Sequence, residues 1–268
     1  MDNKILSFVI PCFNHGEFLK DAIKSVDSLN LTDFEILIVD DGSTDKQTID
    51  VLSQLQTEGY SIIHQLNQGL ARARNIGVSL SKGKYIIPLD ADNKLNPLGV
   101  TKALEILERG EADIVYGNPV FFGEVEASRL FQPKPMDIYE IFRDNYIDAC
   151  AIFRKEVWVV NGGYQENMPF SGHEDWEFWI NAFKNGFRFE YINLPFFYYR
   201  ILSNSMITHT NHKGGHLQNH KFIIEKHFEY YKNLYTDLNS LRKKRGFENA
   251  HPFRTAMKFI LIGLGFRK

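Results

Sequence analysis

The sequence holds only two cysteines, Cys12 and Cys150, and no Cys-x-x-Cys pair. That excludes a disulfide framework and gives no sign of zinc or thiol redox work, so both thiols are read as reduced, in a cytoplasmic protein. No apolar run reaches about 18 residues, so no segment is expected to cross a bilayer as a helix. The short run from Ile5 to Cys12 lacks the length and cleavage-site chemistry of a secretory signal. Neither sign of charge is in excess: the formal net charge of -2 argues against a nucleic-acid partner, which needs a basic surface to neutralise phosphates. Glycine-rich phosphate loops are missing too. No Gly-x-Gly-x-x-Gly follows a strand, which disfavours a dehydrogenase, and Pro11-Cys12-Phe13-Asn14-His15-Gly16 does not supply the loop a nucleotidyltransferase needs. There is no internal repeat and no low-complexity tract.

What is present is enough apolar material for one large α/β domain with a helical appendage: 268 residues, 44% hydrophobic and 24% charged. Ile5 to Pro11 is nearly continuous in apolar residues, as in a strand buried on both faces of a parallel sheet. From Glu17 to Leu29, residues Phe18, Ala22, Ile23, Val26 and Leu29 recur at three- and four-residue steps and share one helical face. The alternation continues with strands at 34–39, 60–64 and 85–89 and helices at 49–55 and 70–80, which implies βαβ units with right-handed crossovers. Ligands of such sheets bind beyond the carboxyl ends of the strands. After a helix at 98–108 the rhythm loosens. Strands are expected at 114–116, 120–125 and 149–153, a helix at 174–185 that Gly186 ends, and two short strands around Pro195 within 187–200. The stretch 216–245 reads as polar helix, and a final segment starts at Pro252.

Three strand ends carry chemistry. The first ends in Pro11-Cys12-Phe13-Asn14 and the second in Asp40-Asp41-Gly42-Ser43-Thr44-Asp45. An aromatic ring beside a carboxylate suits a nucleobase, with Phe13 stacking on its face and Asp41 accepting from a ring N–H. The same residues also make an ordinary turn and helix cap. Asp90-Ala91-Asp92-Asn93 follows the fourth strand; in extended backbone, residues two apart point to the same side, so both carboxylates would face one spot. Such a pair repels itself unless a cation sits between, and oxygen ligands suit Mg2+ or Mn2+, with a diphosphate completing the shell. A surface turn ahead of Pro97 is the plainer alternative. Between these, Asn67-Gln68-Gly69 leads into a helix carrying Arg72 and Arg74, one of which would reach a phosphate at the helix N-terminus, a solvated arginine being the alternative.

Taken in order, Val9-Ile10-Pro11-Cys12-Phe13-Asn14, Ile38-Val39-Asp40-Asp41-Gly42-Ser43-Thr44-Asp45, Asn67-Gln68-Gly69 with Ala73-Arg74-Asn75, and Leu89-Asp90-Ala91-Asp92 closely resemble family 2 of the inverting glycosyltransferases. Gly162-Gly163-Tyr164, then Glu174-Asp175-Trp176, resemble that family's acceptor-side segment, and Tyr199-Arg200 its closing strand; the resemblance covers about residues 4 to 205. It implies a GT-A fold, an α/β Rossmann-like mixed and mainly parallel sheet flanked by helices, with a C-terminal helical extension. The catalytic domain would run over 1–210, its nucleotide-sugar half about 1–95 and its acceptor half about 96–210, and the extension over 211–268. On matching positions the resemblance puts Pro11, Phe13, Asn14, Asp40 and Asp41 at the nucleoside. Arg74, Asp90 and Ala91 go to the rest of the donor, and Asp92 with Asp90 to Mn2+ or Mg2+. Asp175 is then the catalytic base, with Glu174 its neighbour. The implied reaction moves a sugar from a nucleotide-diphosphate donor, most often a UDP-sugar, to a glycan or lipid-linked glycan hydroxyl, with inversion, in polysaccharide assembly. Two departures stand out: Cys12-Phe13-Asn14 where many relatives have Thr-Tyr-Asn, and Leu202 where many have a histidine, for which His209 or His212 would have to substitute.

Other features admit plainer readings. His212, His216, His220 and His227 would form a helical stripe with zinc-binding spacing, but Lys213, Lys221 and Glu225 mark a wet polar helix. Trp176, beside Asp175, is a candidate to stack on the acceptor sugar, whereas Trp179 reads as core. Phe253, Met257, Ile260, Leu261 and Leu264 share a face near Arg254, Lys258, Arg267 and Lys268, which suits peripheral contact with the inner membrane face or, equally, packing on protein. A nucleotidyltransferase and a non-catalytic nucleotide-sugar-binding module are the competing functions.

Overall fold

The computed structural model describes residues 5–124, 130–202 and 214–251. The chain forms two compact units, Met1–Ile223 and Ile224–Lys268. In the first, elements run β1 (Leu6–Cys12), α1 (Gly16–Asp27), β2 (Phe34–Asp40), α2 (Lys46–Thr57), β3 (Ser61–His64), α3 (Leu70–Leu80), β4 (Tyr85–Pro88), β5 (Lys94–Leu95) and α4 (Pro97–Glu108). They continue β6 (Ile114–Gly123), α5 (Ile138–Ile141), β7 (Ile152–Arg154), α6 (Lys155–Asn161), α7 (Glu174–Lys184) and β8 (Phe189–Ile201), followed by α8 (Gly215–Lys226), of which the part up to Ile223 belongs to this unit. Beyond it, α9 (Phe228–Ala250) has no buried side chain among the described residues.

One eight-stranded sheet carries the first unit, in the order β3-β2-β1-β4-β7-β6-β8-β5. β3, β2, β1 and β4 are parallel, β7 runs against both β4 and β6, and β6 and β8 are parallel. All seven residues of β1 are buried, as its apolar run requires for a strand covered on both faces. α3 presses onto it so closely that a Cβ on Gly77 would lie 2.3 Å from Val9 Cγ1. That contact holds the Gly69–Arg74 turn of α3 against the carboxyl ends of β1 and β2.

The second half departs from the expected strands. Instead of two short strands, β6 is one ten-residue strand paired with β8 along its length, and β8 is one strand through Pro195. The register shifts at Gly117–Pro119, opposite that proline, so the missing proline N–H falls at an irregularity where the ladder has already slipped. The strand expected at 149–153 is confined to Ile152–Arg154, and the polar helix breaks at His227 into α8 and α9. No described helix is long and apolar enough to cross a membrane. The amphipathic face around Phe253–Leu264, and His209 and His212, lie outside the described residues.

Candidate active site

The carboxyl ends of β1 and β2 are stitched by their own side chains. Cys12 pairs with Asp40 in register, and the next residue, Phe13, is 43% exposed, an open ring at the edge of the cleft. Asn14 takes a left-handed φ of 56° and its Oδ1 accepts from the N–H groups of Thr44 (2.8 Å) and Asp45 (3.1 Å). Pro11 is buried inside β1. Asp40, also buried, accepts from Ser43 N–H (2.9 Å) and lies 2.9 Å from His64 Nδ1. Asp41 accepts from Gln65 Nε2 (2.6 Å), Gln68 N–H (2.8 Å) and Gly69 N–H (2.9 Å). Gly69, the cap residue of α3, has no side chain, and Asp41, just past β2, ties down the backbone of Gln68 and Gly69 ahead of the helix. The carboxylate that the sequence assigned to a nucleobase thus organises the loop into α3.

Asp90-Ala91-Asp92 is a turn, closed by Asn93 N–H to Asp90 O at 2.9 Å, and not the extended segment expected. The carboxylates still face each other electrostatically: burial first, then the Asp90 charge, pushes the Asp92 carboxyl up to about 6. The turn is held from the closing strand. Arg200 Nε donates to Asp92 O (2.9 Å), Arg200 N–H donates to Asn93 Oδ1 (2.9 Å), and the guanidinium lies 4.3 Å from the Phe18 ring centre and 4.4 Å from that of Phe122. Ala91 is buried beneath.

Arg74 is 2% exposed and joins the two acidic motifs. One terminal nitrogen reaches Asp90 Oδ1 at 2.6 Å and the other pairs with Glu174 Oε1. Burial pulls its guanidinium down, but Asp90 and Glu174 outweigh that and hold it above its ordinary value. The arginine expected to reach outward to a phosphate therefore has both terminal nitrogens committed to carboxylates inside the site. Arg72 pairs with Glu166 at 3.2 Å.

Asp175, in the first turn of α7, is half-buried. Its Oδ2 accepts from Asn145 Nδ2 (3.0 Å) and its Oδ1 from Trp176 N–H (2.8 Å). Burial raises its carboxyl above the usual range, and Arg74 opposes the rise. Glu174 is buried and shifted the same way for the same reason. Trp176 is fully buried and donates to Ile141 O (2.5 Å), so it is closed to an acceptor sugar, contrary to one sequence expectation; Trp179 is core, as expected. Asn75 secures the acceptor-side turn: its Oδ1 accepts from Tyr164 N–H (2.7 Å) and its Nδ2 donates to Tyr164 O (2.9 Å). Gly163 there has φ 88°, and an added Cβ would sit 2.8 Å from Asn75 Oδ1.

Sequence reasoning passed over Asp148 and Asn145, and gave Tyr164 only as part of a motif. Asp148 holds a carboxyl pushed up to about 8 by burial, then by Asp90 and Asp175. Asn145 sits against Asp175, and the buried Tyr164 hydroxyl, without a hydrogen-bond partner, faces Arg74, Asp175 and Glu174. Neither Asp148 nor Asn145 carries a motif, because a single Asp or Asn in a loop has no spacing to betray it; they reach the site because they lead into β7, which pairs with β4. His216 and His220 lie on Trp176 instead of on solvent, and among the described residues no group of three or more His, Cys, Asp or Glu is arranged to hold a metal.

Asp90, Asp148, Glu174 and Asp175 thus gather around one buried arginine at the carboxyl edge of a mixed sheet, with Asp92 beside Asp90 and an exposed ring at the end of β1. The fold is the GT-A fold of solved glycosyltransferase structures. Residues 7–158 match the model of glycosyl transferase family 2, more than half of the chain, and the protein belongs to that family. Among its relatives is the GalNAc(5)-diNAcBac-PP-undecaprenol beta-1,3-glucosyltransferase of Campylobacter jejuni, 28% identical over 214 residues, 76% of this chain and 67% of that one. S. aureus TarS 1-349 in complex with UDP-GlcNAc superposes with a TM-score of 0.64 at 16% identity, over 76% of this chain and 60% of that one. The mannosyltransferase PcManGT of Pyrobaculum calidifontis in complex with GDP-Man and Mn2+ gives 0.60 at 16%, over 80% and 62%. The chain thus spans about three fifths of either solved structure.

Proposed function

We propose that this glycosyltransferase takes a nucleotide-diphosphate sugar, a UDP-sugar first, and passes the sugar to an acceptor hydroxyl in one inverting displacement. The observation that carries the reading is Arg74, which ties the Asp90–Asp92 turn to the Glu174–Asp175 pair, so that donor and base groups share one cleft. The ring of Phe13 is the platform for the nucleobase. Asp175 accepts the proton of the attacking hydroxyl: its raised carboxyl is a better base than an exposed aspartate, and Asn145 and the Trp176 N–H fix its direction. A single displacement of this kind inverts the anomeric centre.

The residues fit a divalent cation of the Mg2+ or Mn2+ class. Asp92 is half-buried, receives no side-chain hydrogen bond among the described residues, and is raised by the Asp90 charge, which a cation would relieve. Asp92 and the oxygen of Asp90 not given to Arg74 would hold it. When bound, such an ion offsets charge gathering on the departing diphosphate.

The Campylobacter relative supports a lipid-linked glycan as acceptor in cell-surface polysaccharide assembly, with the protein peripheral to the inner membrane face. Of the extension set at 211–268, the part beyond Ile223, where the first compact unit ends, is where such contact belongs. Melting temperatures measured against a panel of nucleotide-sugars with and without manganese test the donor half: a UDP-sugar raises the melting temperature with manganese, and less so in Asp92→Ala. Equal stabilisation by every nucleotide, with or without metal, overturns the donor assignment. Nucleotide release from the stabilising donor separates an enzyme from a binding module.

A further inference from the structure

The base sits in the first turn of α7, so its direction depends on the backbone that enters the helix. That entry is strained. Gly172 and His173 are both left-handed, with φ 94° and 67°, and His173, the cap residue, makes no side-chain capping bond. A non-glycine residue in that region persists only where its surroundings impose it. The imposing group comes from α8, more than forty residues on. Asn219 is fully buried, its Oδ1 accepts from Phe170 N–H (3.0 Å), and its Nδ2 faces Phe170 O (3.1 Å), Gly172 O (3.0 Å) and His173 Nδ1 (3.0 Å). Two amide hydrogens are shared among three acceptors, so the whole amide is spent on the three residues ahead of the base.

The same face of α8 grips the helix itself. His216 and His220 both stack on Trp176, at 5.6 and 5.1 Å between ring centres and 21° between planes. His220 Nε2 lies 2.7 Å from Phe142 O, and Trp176 donates to Ile141 O, which anchors α8 to the segment that leads on to Asn145. Asn145 is the residue that donates to Asp175. Both supports of the base therefore run through one contact surface. We propose that α8 is part of the catalytic apparatus and that Asn219 is a positioning residue for the base, holding the strained 170–173 entry so that Asp175 meets the acceptor hydroxyl. The inference rests on Asp175 being the base.

The test compares Asn219→Ala and Asn219→Ser with the parent, measuring release of UDP from the UDP-sugar that the melting screen selects, and donor affinity for UDP with manganese. Asn219→Ser brings no charge into the buried site and keeps a hydroxyl that both donates and accepts, so it stays folded if alanine does not. Loss of base alignment lowers kcat by about 10- to 100-fold while affinity for UDP stays as in the parent, because a small misplacement at the reacting groups acts on the chemical step. A folded variant with parental kcat, or one that loses UDP affinity and kcat together, overturns the proposal. Asp175→Asn run alongside separates the two layers: full turnover there removes the base assignment itself, whereas an inactive Asp175→Asn beside fully active Asn219 variants removes only the role of α8.

Discussion

Arg74→Met is the substitution that probes the site's electrostatics most sharply. The side chain keeps much of its length and loses its charge, leaving Asp90 and Glu174 facing each other with nothing between. Arg74 is 2% exposed and Glu174 3%, with the Asp90 contact at 2.6 Å. At an effective dielectric near 20, a unit pair about 4 Å apart interacts by roughly 4 kcal/mol, most of which first offsets the desolvation of the arginine. Removing one partner of a buried pair forfeits that attraction and strands the other charge, so the expected loss is about 3–5 kcal/mol. For a protein of this size that is a fall in melting temperature of roughly 6–20 °C. The deficit depends on pH, with a definite sign. Without the guanidinium, burial acts unopposed on Glu174 and its carboxyl rises further above the unfolded value. A group raised on folding contributes its stability below its unfolded pKa and loses it as pH climbs through the folded one, so the deficit grows from about pH 5 to about pH 8. Urea unfolding of parent and variant at both pH values reads it directly. A deficit below about 1 kcal/mol, the range of a surface pair, or one equal at the two pH values, refutes the argument.

Three further perturbations follow from neighbouring groups. Asp148, raised to about 8, takes stability away as pH rises from the ordinary carboxylate range towards 8, so Asp148→Asn flattens that slope and is the more stable form of the unliganded protein at the alkaline end; parallel melting curves against pH contradict it. His173 is half-buried and neutral, its imidazole pushed down to about 4 by burial and then by His216, so its contribution is complete above about 6.5 and lost as pH falls towards 4. His173→Asn, which accepts the left-handed backbone, removes that acid-side loss, and an unchanged acid limb in melting experiments tells against it. Phe13→Ala removes the exposed ring and weakens UDP binding by about 1–3 kcal/mol in titration calorimetry; equal affinity removes Phe13 from the base pocket.

The first half of the fold was legible because its signals are local. Buried parallel strands read as apolar runs, and α1 and α3 show their helical spacing within a dozen residues. The second half was harder. β6 and β8 continue through Pro119 and Pro195, which local rules read as breaks; pairing along the whole length of a neighbour outweighs a local preference. At the site, Asp40, Asp41, Asp90, Asp92, Glu174 and Asp175 stood out through motif order, while what each one touches did not. Asp41 turned out to hold the Gln68–Gly69 turn ahead of α3, and Arg74 to bridge Asp90 and Glu174, through contacts that no local pattern announces. Asp148, Asn145 and Asn219 announced nothing, since their meaning comes only from the surfaces that the fold brings together.

The account stands on Asp175 as the group that takes the acceptor's proton. Transfer by Asp175→Asn, measured at saturating donor after calorimetry has shown that donor still binds, is the direct measurement. The expected result is a fall of about 100- to 10,000-fold in kcat with donor affinity unchanged. Parental turnover by a variant that has lost the carboxylate would contradict the mechanism.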